Sequence, residues 1–343
     1  MPAARSPLSD LKVLPSKPIT VSAFYELNRE RLRFSSANGL ENSERQIHEK
    51  NLHRPGLALA GYVELFTYDR VQVFGNTEIR YIESLEPALG VQAFARLLDF
   101  EIPCIVVTNG NTLCQQLLDA ATARDVPVFY SRYETTKATY FMGDFLDDQF
   151  APKTPIHGAF IDVYGVGVLF VGRSGIGKSE IALDLVERGH RLVADDVVVV
   201  TRKGEGILMG SGTDLVKHFM EIRGLGLIDI RAIFGIRSIR FQKRLEIVVQ
   251  LEDWDDRKEY ERTGLDTEEA DVLGVQVPHI QLPIFPGKNV TVITEVIALN
   301  YLLKHYGYDA AVAFSNKLKE RLEAKARQDS GERAIDWFEH DFE

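Results

Sequence analysis

The sequence contains no apolar run long enough to cross a membrane. Runs such as VYGVGVLFVG before Arg173 fall far short of the roughly 20 residues that a spanning helix needs. Nor is there an excess of positive charge, since 40 Lys and Arg residues face 50 Asp and Glu residues and leave a net charge of -10. Nucleic acid and anionic membranes bind to basic surfaces, so the sequence disfavours both as partners.

Cysteine is also scarce. Cys104 and Cys114 stand in no CxxC or Cys/His spacing, so the sequence indicates neither a zinc site nor a redox pair. The N-terminus, MPAARSPLSDLKVLPSK, lacks the apolar stretch of a secretory signal. We therefore expect a soluble, cytoplasmic protein whose cysteines serve as small apolar residues.

The length and the balance of residue types are those of a globular protein. The chain has 343 residues, of which 45% are apolar and 26% charged, and this length suits about two domains. A polar stretch, DDQFAPKTP at 147–155, carries two prolines that discourage a continuing helix. We place the boundary there, which predicts one domain over 1–150 and a second over 151–343.

Helical and extended patterns alternate in the first domain. The spacing of apolar residues predicts helices over 84–99 and 112–125, and strands over 103–109 and 126–132. This alternation indicates a small α/β domain with some parallel strand pairing, and it contains no recognisable catalytic motif. In the second domain, short apolar runs punctuated by glycine predict another sheet, and residues 295–326 predict helices.

One motif in the second domain carries clear chemistry. Residues 172–179 read GRSGIGKS and match GxxxxGK[ST] in full, between an apolar strand and a helical pattern that ends at Gly189. Glycines let successive N–H groups turn inward, and the helix start adds its positive dipole. The motif predicts a nucleotide-phosphate site made by Gly172, Arg173, Ser174, Gly175, Ile176, Gly177, Lys178 and Ser179. Lys178 would contact the β and γ phosphates of ATP, and Ser179 would bind Mg²⁺.

Two adjacent acids, Asp195 and Asp196, lie between the apolar runs RLVA and VVVV. Carboxylates between strands are costly unless they are paired, hydrated or bound to metal. If the first of these strands lies beside the strand of the phosphate loop, one acid can accept a proton from an attacking hydroxyl while the other supports Mg²⁺. A simple turn at the strand end is the alternative.

Two further residues are ambiguous by themselves. Glu221 lies in the glycine-bearing segment MEIRGLGLIDIRAIFG, which also holds Arg223, and residues of both types are usually solvated in loops. His157 precedes the first strand of the second domain and reads as a structural histidine unless other information favours a role in the site.

Three ordered segments together resemble the HPr kinase/phosphorylase family. They are IHGAFIDVYGVGVLFVGRSGIGKSE, GHRLVADD and MEIRGLGLIDI, and the resemblance runs from about residue 157 to about residue 308. It implies that MgATP phosphorylates a regulatory serine of the phosphocarrier protein HPr. It also implies the reverse reaction, in which inorganic phosphate attacks the phosphoserine and pyrophosphate is released. A P-loop core similar to that of phosphoenolpyruvate carboxykinase and a homohexamer are further implications.

The resemblance also implies roles for individual residues. His157, Lys178 and Arg262 match active-site positions, and Asp196 matches the residue that acts as base in phosphorylation and as acid in dephosphorylation. Ser179 and Glu221 match the Mg²⁺ ligands, with Asp195 as a supporting acid. The family signature matches 220–229, and a segment linked to dephosphorylation matches Pro283, Ile284, Phe285, Pro286, Gly287 and Lys288.

The sequence departs from the family pattern at three positions. The last segment reads PIFPGKN instead of a sequence close to PVRPGRN, so Phe285 and Lys288 replace arginines. Losing a planar, bidentate anion binder is not a neutral change, so kinase activity is a firmer expectation than phosphorolysis. Arg173 stands in the phosphate loop where the family often has an acidic or small residue.

Two other functions fit a phosphate loop: a small-molecule kinase or NTPase, and a nucleotide-sensing regulator. Sensing does not require the set formed by the acid pair, Glu221 and Arg262. The negative charge is concentrated near that arginine, since residues 252–271 hold ten acids and three bases, a net charge of -7. A solvated face is the ordinary explanation for such a run, and an edge facing a partner is the alternative.

Overall fold

The computed structural model describes residues 8, 11–204, 206–213, 217–255, 268–285 and 287–339. Its contacts divide the chain into two compact units, one of residues 14–152 and one that joins the described part of 1–13 to the described part of 153–343. The prediction had assigned residues 1–13 to the first domain. Instead, Leu8 is buried in the same core as Ile156 and Phe160, and the Thr154 hydroxyl donates to the Lys12 carbonyl.

The unit of residues 14–152 alternates strands and helices, as the sequence predicted. In chain order its elements are β1 Ile19–Thr20, α1 Val21–Leu32, β2 Ser35–Ser36, β3 Gln46–Ile47, β4 Leu52–His53, α2 Gly56–Leu59, β5 Val71–Phe74, α3 Asn76–Ser84, α4 Pro87–Leu98, β6 Ile105–Val107, α5 Gln115–Thr122, β7 Val128–Tyr130 and α6 Thr135–Gln149.

The sheet of this unit is mostly parallel, with the order β2-β7-β6-β5-β4 and β2 as the antiparallel edge. Its central strands, VQVF and IVV, are buried throughout because helices cover both faces. Phe74 and Val107 belong to one core, whereas Val73 and Val106 belong to the core on the opposite face. The predicted α/β class with parallel pairing is therefore confirmed.

The second unit carries the phosphate loop. After residue 152 its elements are β8 Lys153–His157, β9 Ala159–Val163, β10 Val166–Val171, α7 Lys178–Glu187, β11 Arg191–Ala194, β12 Val197–Lys203, β13 Ile207–Ser211, β14 Phe219–Ile222, β15 Gly226–Asp229, α8 Ile230–Phe234, a 3₁₀ turn Ile236–Ser238, β16 Gln242–Arg244, β17 Ile247–Asp253, β18 Glu268–Val272, β19 Val275–Ile284, α9 Val290–His305 and α10 Ala310–Glu339.

Two sheets and a helical layer stack in this unit. The larger sheet has the order β11-β9-β10-β17-β19-β18, with β10, β17 and β19 parallel, and the smaller has the order β16-β13-β12-β8. Side chains of β9 and β10 alternate, so that Phe160 and Val171 face the smaller sheet while Ile161 and Phe170 face α7 and α9. Within the described residues, no helix is long and apolar enough to span a bilayer.

Candidate active site

The phosphate loop joins the end of β10 to the start of α7. Gly172, Gly175 and Gly177 have φ angles of 145°, 78° and 104°, which L-residues rarely adopt. A Cβ on Gly172 would lie 2.6 Å from the Leu251 carbonyl oxygen on β17, so this position has no room for a side chain. The loop thus has turns that require glycine, and α7 begins within the motif, at Lys178.

Lys178 folds back over this loop. Its Nζ donates to the carbonyl oxygens of Gly172 and Arg173, both at 3.1 Å. The residue is only 7% exposed, and burial lowers the pKa of its ammonium. An ammonium has three donors, so these two contacts leave one for a phosphate oxygen.

Asp195 closes the loop from the other side. Both of its carboxylate oxygens accept from the Ser179 hydroxyl, at 2.9 and 3.1 Å. Asp195 is 5% exposed, and burial raises its pKa to about 6, although hydrogen bonds from Ser179 and from the backbone of Asp196 and Glu221 oppose the shift. Contact with the Glu221 backbone brings β14 to the acid pair.

This donor set fits Mg²⁺. Carboxylate and hydroxyl oxygens are the ligands of a hard cation, and Mg²⁺ usually takes one or two carboxylates and completes its shell with water and substrate phosphates. Among the described residues no group of three acidic, histidine or cysteine side chains is placed to hold a metal alone. Ser179 and Asp195 therefore suit an ion held jointly with a nucleotide, with Glu221 beside them.

Asp196 has the opposite environment. Its side chain is 66% exposed, and its Oδ1 lies 3.1 Å from Nδ1 of His157, which is 51% exposed. The backbone at Asp196 has a φ of 65°, in the left-handed region that Asp adopts more readily than most residues. Its carbonyl accepts from the Gly158 amide at 3.0 Å, and β12 pairs with β8 directly beyond it. His157 is thus not a buried structural histidine; it is the partner of Asp196.

The sequence places the acids at the site on the condition that their strand lies beside the strand of the phosphate loop, and the strand order does not meet that condition. The strand that leads to the acids, β11, does not lie beside β10, because β9 and β10 form a hairpin and β9 occupies the place between them. Both pairings are antiparallel, so β11 runs parallel to β10 one strand further away. Its carboxyl end therefore still meets the edge of the sheet where the phosphate loop begins.

Arg223 is a site residue to which the sequence analysis gave no role. Its Nη2 donates to the Ser174 hydroxyl at 3.3 Å, and its Nη1 lies 2.5 Å from the place that a Cβ of Gly175 would take. Arg223 lies in the turn that follows β14, two residues after Glu221, so its nearness in sequence to that acid was a usable signal.

Arg173, the unusual residue of the loop, is held by Asp253 at the end of β17. Its Nε and Nη2 donate to the two carboxylate oxygens at 2.7 and 2.8 Å. This pairing raises the pKa of the guanidinium and lowers that of the carboxyl. Both side chains are more than half exposed, so the pair fixes the direction of Arg173 and adds little stability.

The segment of residues 283–288 attaches next to this pair. The Trp254 amide donates to the Ile284 carbonyl, and the Trp254 ring meets the Phe285 ring edge-on at 5.5 Å. Lys288 Nζ donates to the Pro283 carbonyl at 2.8 Å and lies 5.3 Å from the centre of the Phe285 ring. Arg262 and Pro286 lie outside the described residues.

Comparisons with known proteins show which family the chain resembles. Residues 19–146 match the family described as HPr Serine kinase N terminus, and residues 148–318 match the HPr Serine kinase C-terminal domain. HPr kinase/phosphorylase of Chloroherpeton thalassium is 55% identical over 97% of this chain and 98% of its own length. The protein of the same name from Prosthecochloris aestuarii is 53% identical over 94% and 96%.

Among solved structures, the HPr(Ser) kinase/phosphatase of Coxiella burnetii matches with 32% identity and a TM-score of 0.42, over 47% of this chain and 97% of that one. The relatives' similarity extends through both units, and the resemblance noted in the sequence is confirmed. This chain belongs to the HPr kinase/phosphorylase family.

Proposed function

We propose that this chain is an ATP-dependent serine kinase of the phosphocarrier protein HPr, and that it also removes the phosphate by phosphorolysis. The observation that carries the proposal is the pair of adjacent acids at the phosphate loop. Asp195 is buried against Ser179, and Asp196 is exposed against His157. Such a site can hold a metal–nucleotide and act on a hydroxyl that arrives from outside. The identity with relatives named HPr kinase/phosphorylase supports HPr as that substrate.

In the kinase direction, the loop amides and Lys178 bind the phosphates of ATP. Mg²⁺ held near Ser179, Asp195 and Glu221 would neutralise phosphate charge. Asp196 takes the proton of the serine hydroxyl. The serine oxygen then attacks the γ-phosphorus as the bond from that phosphorus to the β-phosphate oxygen breaks. His157, at 3.1 Å, holds the Asp196 carboxylate toward the substrate.

In the reverse direction, inorganic phosphate attacks the phosphorus of phosphoserine. The bond from phosphorus to the serine oxygen breaks, Asp196 returns the proton to that oxygen, and pyrophosphate leaves. The segment 283–288 retains one cation for anions, Lys288, whose pKa burial lowers. Phosphorolysis therefore rests on Lys288 in place of the two arginines of the family pattern.

Assembly and compartment belong to the same proposal. Large apolar side chains are exposed on β14 and β15, in the turn between them and around α8: Phe219, Leu225, Leu227, Ile233 and Ile236. Exposed apolar surface is characteristic of interfaces. These side chains support an interface between subunits, as in the homohexamer that the family resemblance implies. We expect the protein to act in the cytoplasm. The likeness of the core to phosphoenolpyruvate carboxykinase remains a prediction.

The test uses the purified full chain, HPr and ATP labelled in the γ-phosphate. We expect label on HPr, none on HPr whose regulatory serine is replaced by alanine, and pyrophosphate from phosphoserine-HPr with inorganic phosphate. ATP hydrolysis without label on HPr would identify an NTPase. ATP binding without turnover would identify a sensor, and either result overturns the proposal.

A further inference from the structure

A buried carboxylate outside the site joins the far ends of the elements that build it. Glu295 on α9 is 7% exposed and accepts from two nitrogens of Arg188, at 2.6 and 3.0 Å. His190 Nε2 lies 3.0 Å from the same carboxylate, and the Tyr164 hydroxyl donates to it at 3.4 Å. Four contacts on one buried carboxylate exceed what a surface ion pair provides.

Arg188 and His190 mark the distal ends of elements that begin or end in the site, and Glu295 lies near the start of a third. Arg188 follows α7, which starts at the phosphate loop. His190 precedes β11, which ends at the acid pair. Glu295 lies in α9, which begins two residues after Lys288. The carboxylate therefore connects the supports of the loop, the acids and the segment 283–288.

The turn at Tyr164 is an independent sign that this contact matters. Val163 pairs with Val166, so Tyr164 and Gly165 form a two-residue hairpin turn with φ angles of 52° and 85°. Such turns favour Asn, Asp or Gly at the first position, and an aromatic residue there is strained. The contacts of the Tyr164 side chain explain why a tyrosine occupies this position. Its ring meets the His190 ring edge-on at 4.7 Å, and its hydroxyl donates to Glu295.

A second contact sets the direction of α9. The Thr291 hydroxyl donates to the Asp184 carboxylate, one turn of α7 before Arg188. Thr291 and Glu295 are one turn apart on α9, as Asp184 and Arg188 are along α7, so the two helices are joined by polar contacts at two successive turns. Loss of the Glu295 contact would leave the first turns of α9 tied to α7 at a single polar point.

We propose that Glu295 is a positioning residue whose carboxylate fixes α9 against α7 and β11 and thereby holds the segment 283–288 at the phosphate loop. The part that concerns dephosphorylation rests on the proposed function. The low pKa of Glu295, about 2 because Arg188 donates to it, agrees with a carboxylate that stays ionised in this role.

The test compares Glu295→Gln with Glu187→Gln in the full chain. Glu187 is exposed and stands directly before Arg188, so its variant removes the same charge without touching the contact. Hydrogen exchange is measured by mass spectrometry on peptides that cover 283–290. In these peptides we expect about tenfold faster exchange in Glu295→Gln and the wild-type rate in Glu187→Gln. Peptides from β9 and β10 should exchange at the wild-type rate in both variants.

Kinetics supply the second readout. Glu295→Gln should raise the KM for inorganic phosphate about fivefold and leave the KM for ATP within about twofold, and Glu295→Asp should restore part of the difference. Arg188→Gln should give the same pattern of KM changes. Because Arg188 is half-exposed, this variant should fold even if Glu295→Gln does not. Unchanged exchange at 283–290, or equal acceleration in all peptides, overturns the inference. Exchange does not require activity, so a wild-type chain inactive on HPr would refute only the proposed function.

Discussion

Two neighbouring carboxylates show how far local environment decides a residue's role. Asp195 is 5% exposed, whereas the side chain of Asp196 is 66% exposed. Burial raises the pKa of the first to about 6, and its oxygens are engaged by Ser179. The second turns outward on a left-handed backbone and is free to meet a substrate hydroxyl beside His157. A pair of acids in different environments can thus divide metal binding and proton transfer between them.

Arg223 supplies a prediction at this scale. Replacing it by alanine removes a cation that lies against Gly175 and donates to Ser174, so the affinity for ATP should fall about tenfold, or about 1.4 kcal/mol. Titration with a fluorescent ATP analogue measures the change. Arg237→Ala removes an exposed arginine of the same unit and should bind as the wild type does; equal losses in both variants would contradict the role.

At the scale of elements, the sequence predicted a strand before the phosphate loop and a helix after it that ends at Gly189, because glycine and apolar spacing are local signals. It did not predict that β9 separates β11 from β10, since β9 pairs with β11 across the whole of β10 and α7 in sequence. The His157–Asp196 contact was unpredictable for the same reason, because it requires β8 to pair with β12 across 39 intervening positions. Both acids nevertheless reach the site, because parallel strands end at a common edge.

The contact between α9 and α7 should make stability depend on pH. The pKa of Glu295 is lowered from 4.5 to about 2, chiefly because Arg188 donates to it, so its ionised form stabilises the folded chain. That contribution is complete above about pH 5 and is lost as the pH falls from 4.5 toward 2.

Urea unfolding of the wild type and of Glu295→Gln between pH 3 and pH 7, at about one-unit steps, tests this dependence. The difference in free energy of unfolding should be largest at neutral pH and shrink below pH 4.5, the ordinary value for this carboxyl. A difference independent of pH would show that the loss comes from packing and not from charge.

At the scale of the whole molecule, composition and pattern predicted two α/β units but not the place of the first residues. Leu8 and Lys12 pack on the unit of the phosphate loop, where the Thr154 that contacts Lys12 is 142 residues away in sequence. So short a segment has no repeating apolar pattern from which the unit that it packs against could be predicted. The role of Arg262 stays a prediction, since it lies outside the described residues.

The phosphate loop predicts which unit a nucleotide stabilises. Both tryptophans, Trp254 and Trp337, follow residue 153, so their fluorescence reports on the unit that contains the loop. MgATP at a hundred times its dissociation constant should stabilise that unit by about 2.7 kcal/mol and raise the urea midpoint seen by fluorescence. Lys178→Ala should abolish the shift, and a shift that survives in this variant would place the nucleotide elsewhere.

The central claim is that Asp196 transfers the proton in both directions of one site, and the phosphorylation of HPr by Asp196→Asn tests it most directly. General-base catalysis contributes about 10² to 10⁴ in rate, so serine phosphorylation and pyrophosphate formation should both fall by at least about a hundredfold. ATP binding should persist, and Glu187→Gln should behave as the wild type does. Serine phosphorylation at the wild-type rate in Asp196→Asn would contradict the account.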